Sequence, residues 1–126
     1  MSRTIRIDSR DQLQNSTEGF TTTVDLSAAT HVEFDARFRS RYAIHLDWTG
    51  AAGGGSVTVN GTNKQGSTNY KPLVNEGTGQ NMTLAIADGS GEDYIRDYVG
   101  IVDSYLVLSF SGFTAGTMVI NINFAM

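Results

Sequence analysis

The chain has 126 residues, a length that fits one domain and lets it bury roughly two-thirds of the surface its unfolded form exposes. Hydrophobic residues make up 40% and charged residues 17%, with 14 Gly against one Pro and a net charge of −4. That balance excludes a disordered chain and a polycation built for phosphate backbones, and the lack of any Cys excludes disulfides and thiolate metal sites.

Taken in chain order, Met1-Ser2-Arg3-Thr4-Ile5-Arg6 lacks the apolar core of a secretory signal. No apolar run approaches the roughly 20 residues that span a bilayer, so the expectation is a protein made and used in solution, without a membrane. Residues 1–18 are mostly polar, with Ile5, Ile7 and Leu13 spread evenly, and read as an N-terminal arm or edge strand whose order depends on a partner. A single β-sandwich domain is expected over 19–126.

From Phe20 the pattern becomes period two. Phe20, Val24 and Leu26 share a parity, then Val32, Phe34, Ala36 and Phe38 alternate with His31, Glu33, Asp35 and Arg37. Tyr42, Ile44, Leu46 and Trp48 repeat this against Ala43, His45 and Asp47, and the TGAAGGG stretch at 49–55 reads as a loop. These two strands are expected to form a hairpin with Phe38 opposite Tyr42. Further strands are expected at 56–60, 82–87, 105–110 and 117–124, separated by Gly-rich breaks. One segment departs from the period: in EDYIRDYVGIV at 92–102, Tyr94, Ile95, Tyr98 and Val99 fall at helical spacing, Ser90 can cap with Asp93 three residues on, and Gly100 can close the end. The expected architecture is all-β, a two-sheet antiparallel β-sandwich of jelly-roll type with one short helix near 91–99, its core drawn from the even-numbered set Phe20 to Trp48 and Leu106 to Phe124.

The expected hairpin register has a chemical consequence. With Phe38 opposite Tyr42, Ala36 faces Ile44, Phe34 faces Leu46 and Val32 faces Trp48. On the outer side Asp35 then lies opposite His45 and Glu33 opposite Asp47, beside Arg37 and the turn residues Arg39 and Arg41. A like-charged pair directly opposed needs compensation, from these arginines, a metal ion or a neighbouring subunit. No recognised ligand spacing supports a metal at Glu33, Asp35, His45 and Asp47, and a solvated face and a protein contact remain the alternatives. Three Arg against three acids in 31–48 supply no surplus positive charge for nucleic acid.

Catalytic chemistry finds no pattern. The two imidazoles, His31 and His45, are expected to point outward, no Ser lies in a nucleophile-elbow pattern, and an outer sheet face offers no cleft to paired carboxylates. The DGSGED stretch at 88–93 lacks the spaced oxygen ligands of a calcium loop and reads as a turn. Trp48 sits at a core parity, so a sugar-stacking platform would rest on the tyrosines, Tyr70, Tyr94, Tyr98 and Tyr105. The expectation is a non-enzyme with no catalytic residue, metal or cofactor. The charges are asymmetric: residues 1–73 hold eight Lys or Arg and seven acids, whereas 74–126 hold six acids and only Arg96. Such asymmetry suits copies of one protein meeting through unlike surfaces, and equally a solvated acidic end.

From Asp25 onward, over about four-fifths of its length, the chain resembles a group of small bacteriophage virion β-sandwich proteins. The resemblance is carried by Asp25-Leu26-Ser27, by Trp48-Thr49-Gly50 with the Gly-rich turn and SVTVNGTN at 56–63, by Tyr70-Lys71-Pro72-Leu73, and by YLVLSF at 105–110 with GTMVINI at 116–122. In members it resembles, an arginine often stands where this chain has Val107, and the 92–102 segment looks like a local elaboration. The resemblance implies a structural protein of the virion, a capsid decoration, minor capsid or tail-associated protein, present in the host cytoplasm before assembly, with other virion proteins and its own copies as partners. Candidate interface residues are Arg3, Ile5, Arg6, Ile7 and Arg10 in the arm, and Glu33, Asp35, Arg37, Arg39, Arg41, His45 and Asp47 on the expected hairpin. The alternative is a carbohydrate-binding module of a host-adhesion appendage.

Overall fold

Strict alternation of apolar and polar residues dictates strands with one face turned inward, and a computed structural model, describing residues 2–3, 17–37, 41–74, 78–97 and 103–125, places ten of them. They are β1 (Ser2–Arg3), β2 (Thr17–Asp25), β3 (His31–Asp35), β4 (Arg41–Ala52), β5 (Ser56–Thr62), β6 (Lys71–Pro72), β7 (Thr83–Ala85), β8 (Gly89–Asp97), β9 (Tyr105–Ser111) and β10 (Ala115–Ala125). One sheet has four strands in the order β2-β10-β4-β8. The other has six, in the order β1-β3-β9-β5-β6, with β7 also on β5. All pairings are antiparallel except β1 with β3. Without the two-residue β1 and β6, the orders β2-β10-β4-β8 and β3-β9-β5-β7 are those of a jelly roll.

The core lies between the sheets. Phe34 from β3, Ile44 and Leu46 from β4, Leu106 and Leu108 from β9, and Met118, Ile120 and Phe124 from β10 are fully buried. Each such side chain contributes on the order of 1.5–3 kcal/mol. Phe34 meets Phe124 edge-on across the interlayer, ring centroids 6.5 Å apart. Trp48 is buried as its parity predicts, because its indole lies over the bare backbone of Gly91 in β8, where an added Cβ would come within 3.0 Å of the ring.

Two expectations are corrected. The hairpin at 38–42 does not form as a pair: β3 bonds to β9 and β1, β4 bonds to β10 and β8, and the two strands belong to opposite sheets. Inward parity is the same whether two successive strands lie side by side or face each other across a core, so alternation cannot separate these arrangements. Phe38, Arg39 and Ser40 lie outside the described residues. The short helix near 91–99 is also absent: Gly91 to Asp97 lie in β8, with Ile44 opposite Ile95 and His45 opposite Tyr94, while 98–102 lie outside the described residues. Tyr and Ile favour strands, and an exposed edge of β4 was there to receive them. Ser90, instead of capping a helix, accepts a hydrogen bond from the Gly50 N–H at 3.2 Å.

Candidate functional site

The charged residues singled out in the sequence divide between two faces on opposite sides of the sandwich. On the outer face of the six-stranded sheet, a row runs from Glu33 of β3 through Val107 of β9 to Asn60 of β5, all nearly inaccessible to solvent. The connection between β5 and β6 roofs this row. Its Gly66 N–H donates to Glu33 Oε1 at 2.8 Å, its Tyr70 ring lies 5.7 Å from His31, and its Asn63 Oδ1 accepts the Ser104 N–H at 2.9 Å. Asn60 uses its amide to donate to the carbonyl oxygens of Thr58 and Val107 and to Ser109 Oγ.

Asp35 closes the next row. Its carboxylate accepts a two-pronged grip from Arg37, Nε to Oδ1 at 2.9 Å and Nη2 to Oδ2 at 2.6 Å, and the Arg37 backbone N–H as well. The guanidinium carbon sits 5.7 Å from the centre of the Tyr105 ring. The carboxylate, by hydrogen bond first and charge second, holds Arg37 above its ordinary arginine value. An outer face that parity alone would give to solvent is thus sealed by its own chain.

The four-stranded sheet carries the other half. Here His45 and Asp47 of β4 face outward, and Asp47 lies opposite Glu92 of β8. His45 compensates this like-charged pair by donating from Nε2 to Glu92 Oε2 at 2.9 Å, while its ring stacks on Tyr94, centroids 4.6 Å apart and planes 25° from parallel. The same row continues through Asn121 of β10 to Thr21 of β2, whose hydroxyl donates to Asn121 Oδ1 at 2.7 Å. The patch expected to unite Glu33, Asp35, Arg37, His45 and Asp47 therefore does not exist, because an entire core separates the first three from the last two. Arg41 stands exposed at the start of β4. Ile5, Arg6, Ile7, Arg10 and Arg39, and the side chain of Arg3, lie outside the described residues. Among the described residues no cluster of three or more His, Cys, Asp or Glu is arranged to hold a metal ion.

Along the edge of β8, bordered by the segment that carries β7, lies an open hollow of about 250 Å³. Thr78, Gln80, Asn81 and Thr83 supply its polar wall, Met82, Leu84 and Ile95 its apolar floor, and Tyr94 its aromatic side. Tyr94 is 53% exposed and Val74, bridged to Asn81 in the backbone, 52%. They are the large hydrophobic residues left most open to solvent among those described. Sequence reasoning named Tyr94 only as one of several tyrosines, and its helical reading of 92–102 hid the partnership with His45. Reading Asp93, Tyr94, Ile95 and Arg96 at period two would have set Tyr94 on an outer face.

No protein-family model matches the chain, and no curated protein sequence matches it. Solved structures do. The K1 cleaved adhesin domain of Lys-gingipain from Porphyromonas gingivalis W83 is 6% identical over 82% of this chain and 72% of that one, with a TM-score of 0.50. The SPBc2 prophage-derived protein YomS is 11% identical over 86% of this chain and 96% of that one, at 0.46. A carbohydrate-binding module from Cellvibrio mixtus lichenase 5A, solved with cellotriose, is 14% identical over 86% and 87%, at 0.41. At these identities the likeness is one of fold. The fold and the two faces define an all-β sandwich domain of jelly-roll order.

Proposed function

We propose that this chain is a non-enzymatic structural protein of a bacteriophage particle, a capsid decoration or minor capsid protein that grips neighbouring subunits through its N-terminal arm. The observation that carries this reading is β1. Ser2 and Arg3 pair in parallel with Glu33 and Phe34 at the rim of the six-stranded sheet, while the next described strand, β2, belongs to the other sheet. A two-residue strand contributes few hydrogen bonds, and the same rim of β3 accepts an identical strand from a second copy with no new surface to be invented. Strand exchange of this kind is an economical route from monomers to assemblies.

In this reading Ile5 and Ile7 bury against an adjacent subunit, and Arg3, Arg6 and Arg10 pair with its acids. The acid excess of residues 74–126 supplies partners of the right sign. Jelly rolls serve as capsid domains, an analogy of fold that agrees with the proposal. Deleting residues 2–12 should leave a folded monomer that enters particles at reduced copy number, counted by mass spectrometry of purified virions. Full occupancy by the truncated protein would overturn the proposal.

A further inference from the structure

The hollow beside β8 has a chemistry that neither face of the sandwich shares. We infer that it binds a neutral oligosaccharide, stacked on Tyr94 and held by the Gln80 and Asn81 side chains. A sugar ring offers an apolar C–H face bordered by hydroxyls that both donate and accept. The complementary protein surface is an exposed aromatic ring beside neutral groups of mixed hydrogen-bonding capacity. Tyr94 meets the first requirement: it is half open to solvent, and His45 backs its ring as a cross-strand neighbour, so its orientation is set before any ligand arrives. Gln80 and Asn81 meet the second, each with one acceptor oxygen and an NH₂ donor.

The lining also says what the ligand is not. Among the described residues it contains no Lys, Arg, His, Asp or Glu, so from these a phosphate or sulfate meets no cation and an ammonium no carboxylate. At about 250 Å³ the hollow falls just short of the range that encloses drug-sized molecules, and its open shape suits a chain laid across it with one ring or two seated. Its position leaves it available in an assembly, since β7 and β1 occupy opposite rims of the six-stranded sheet. The inference stands apart from the arm-exchange reading.

The test uses the full-length protein on an array of immobilised neutral hexose and N-acetylhexosamine oligomers, with sialylated and sulfated glycans alongside. Selective retention by neutral oligomers is expected. Tyr94→Ala should weaken it roughly tenfold, Tyr94→Phe should keep it, and Gln80→Ala, at an exposed position outside any strand, should weaken it too. Circular dichroism confirms folding of each variant, and Gln80→Ala decides the matter if Tyr94→Ala fails to fold. Retention by no glycan, retention by acidic glycans only, or retention indifferent to these variants overturns the inference. Loss of glycan binding with normal particle occupancy in Tyr94→Ala leaves the arm proposal untouched, so the two ideas fail separately.

Discussion

Asp25 illustrates how much a single side chain at a strand end can organise. Its carboxylate accepts both the backbone N–H of Ser27, at 2.9 Å, and the Ser27 hydroxyl, at 2.6 Å, and its carbonyl accepts the N–H groups of Ala28 and Ala29. This local turn lifts the chain from β2 in one sheet toward β3 in the other. The Ser27 bonds hold the Asp25 carboxyl below its usual value, the side-chain bond more than the backbone one. A group depressed on folding adds stability that is present above its unfolded pKa, about 3.9, and lost as pH falls through the lower folded value. The denaturation midpoint of Asp25→Ala should therefore lie below wild type at pH 6 and converge on it by about pH 2, as urea titrations at both pH values would show. A gap of equal size at both would contradict this account. Arg37 behaves in the opposite sense: raised on folding, its contribution is complete below the ordinary arginine range and fades only above it, so it adds no slope near neutrality. The Asp25-Leu26-Ser27 turn was legible as a motif; the grip of Arg37 on Asp35 was not, because a strand residue and the residue two places on share a face in many arrangements.

At the scale of elements, the joint between β4 and β10 depends on a bulge. Register shifts between Ala115 and Thr117, and Gly116 sits there at φ +119°, with the backbone of Ala51 so close that an added Cβ would lie 2.7 Å from its Cα. Gly116→Ala combines a disfavoured backbone conformation with a clash against main chain that cannot swing aside. It should cost more than about 1 kcal/mol, read as a lowered urea midpoint with unchanged slope. A midpoint equal to wild type would show that the bulge relaxes freely. The sequence marked this position as a Gly-rich break before a strand and no more. It failed more plainly over 92–97, where Tyr94 and Ile95, with Tyr98 and Val99 beyond, satisfy a helical stripe and where Tyr94 and Ile95 equally satisfy opposite faces of a strand. A short apolar run holds too few repeats to separate the two periods. The waiting edge of β4 decided it, and with that decision Tyr94 moved from a helix face to the wall of the hollow.

For the whole molecule, the separation of β3 from β4 is the organising fact. Glu33 is held under the β5–β6 connection and Asp35 by Arg37, His45 and Asp47 face outward on the far sheet, and two layers packed about 10 Å apart lie between them. Asp35→Ala and His45→Ala should consequently be additive in stability to within about 0.5 kcal/mol in a double-mutant cycle, whereas neighbours in one hairpin would couple. Coupling above that level would restore the hairpin. By itself the sequence determined which side chains turn inward: every even-numbered large apolar residue described from Phe20 to Trp48 and from Leu106 to Phe124 is buried, because a strand's side chains must alternate whatever it pairs with, whereas Ala28, in the turn after β2, is exposed. Only the tertiary structure decided which strands are neighbours, and hence which polar residues meet. Pairing is settled by closure of two sheets around a shared core, a long-range balance of burial and hydrogen bonding that leaves no trace in the period of any one segment.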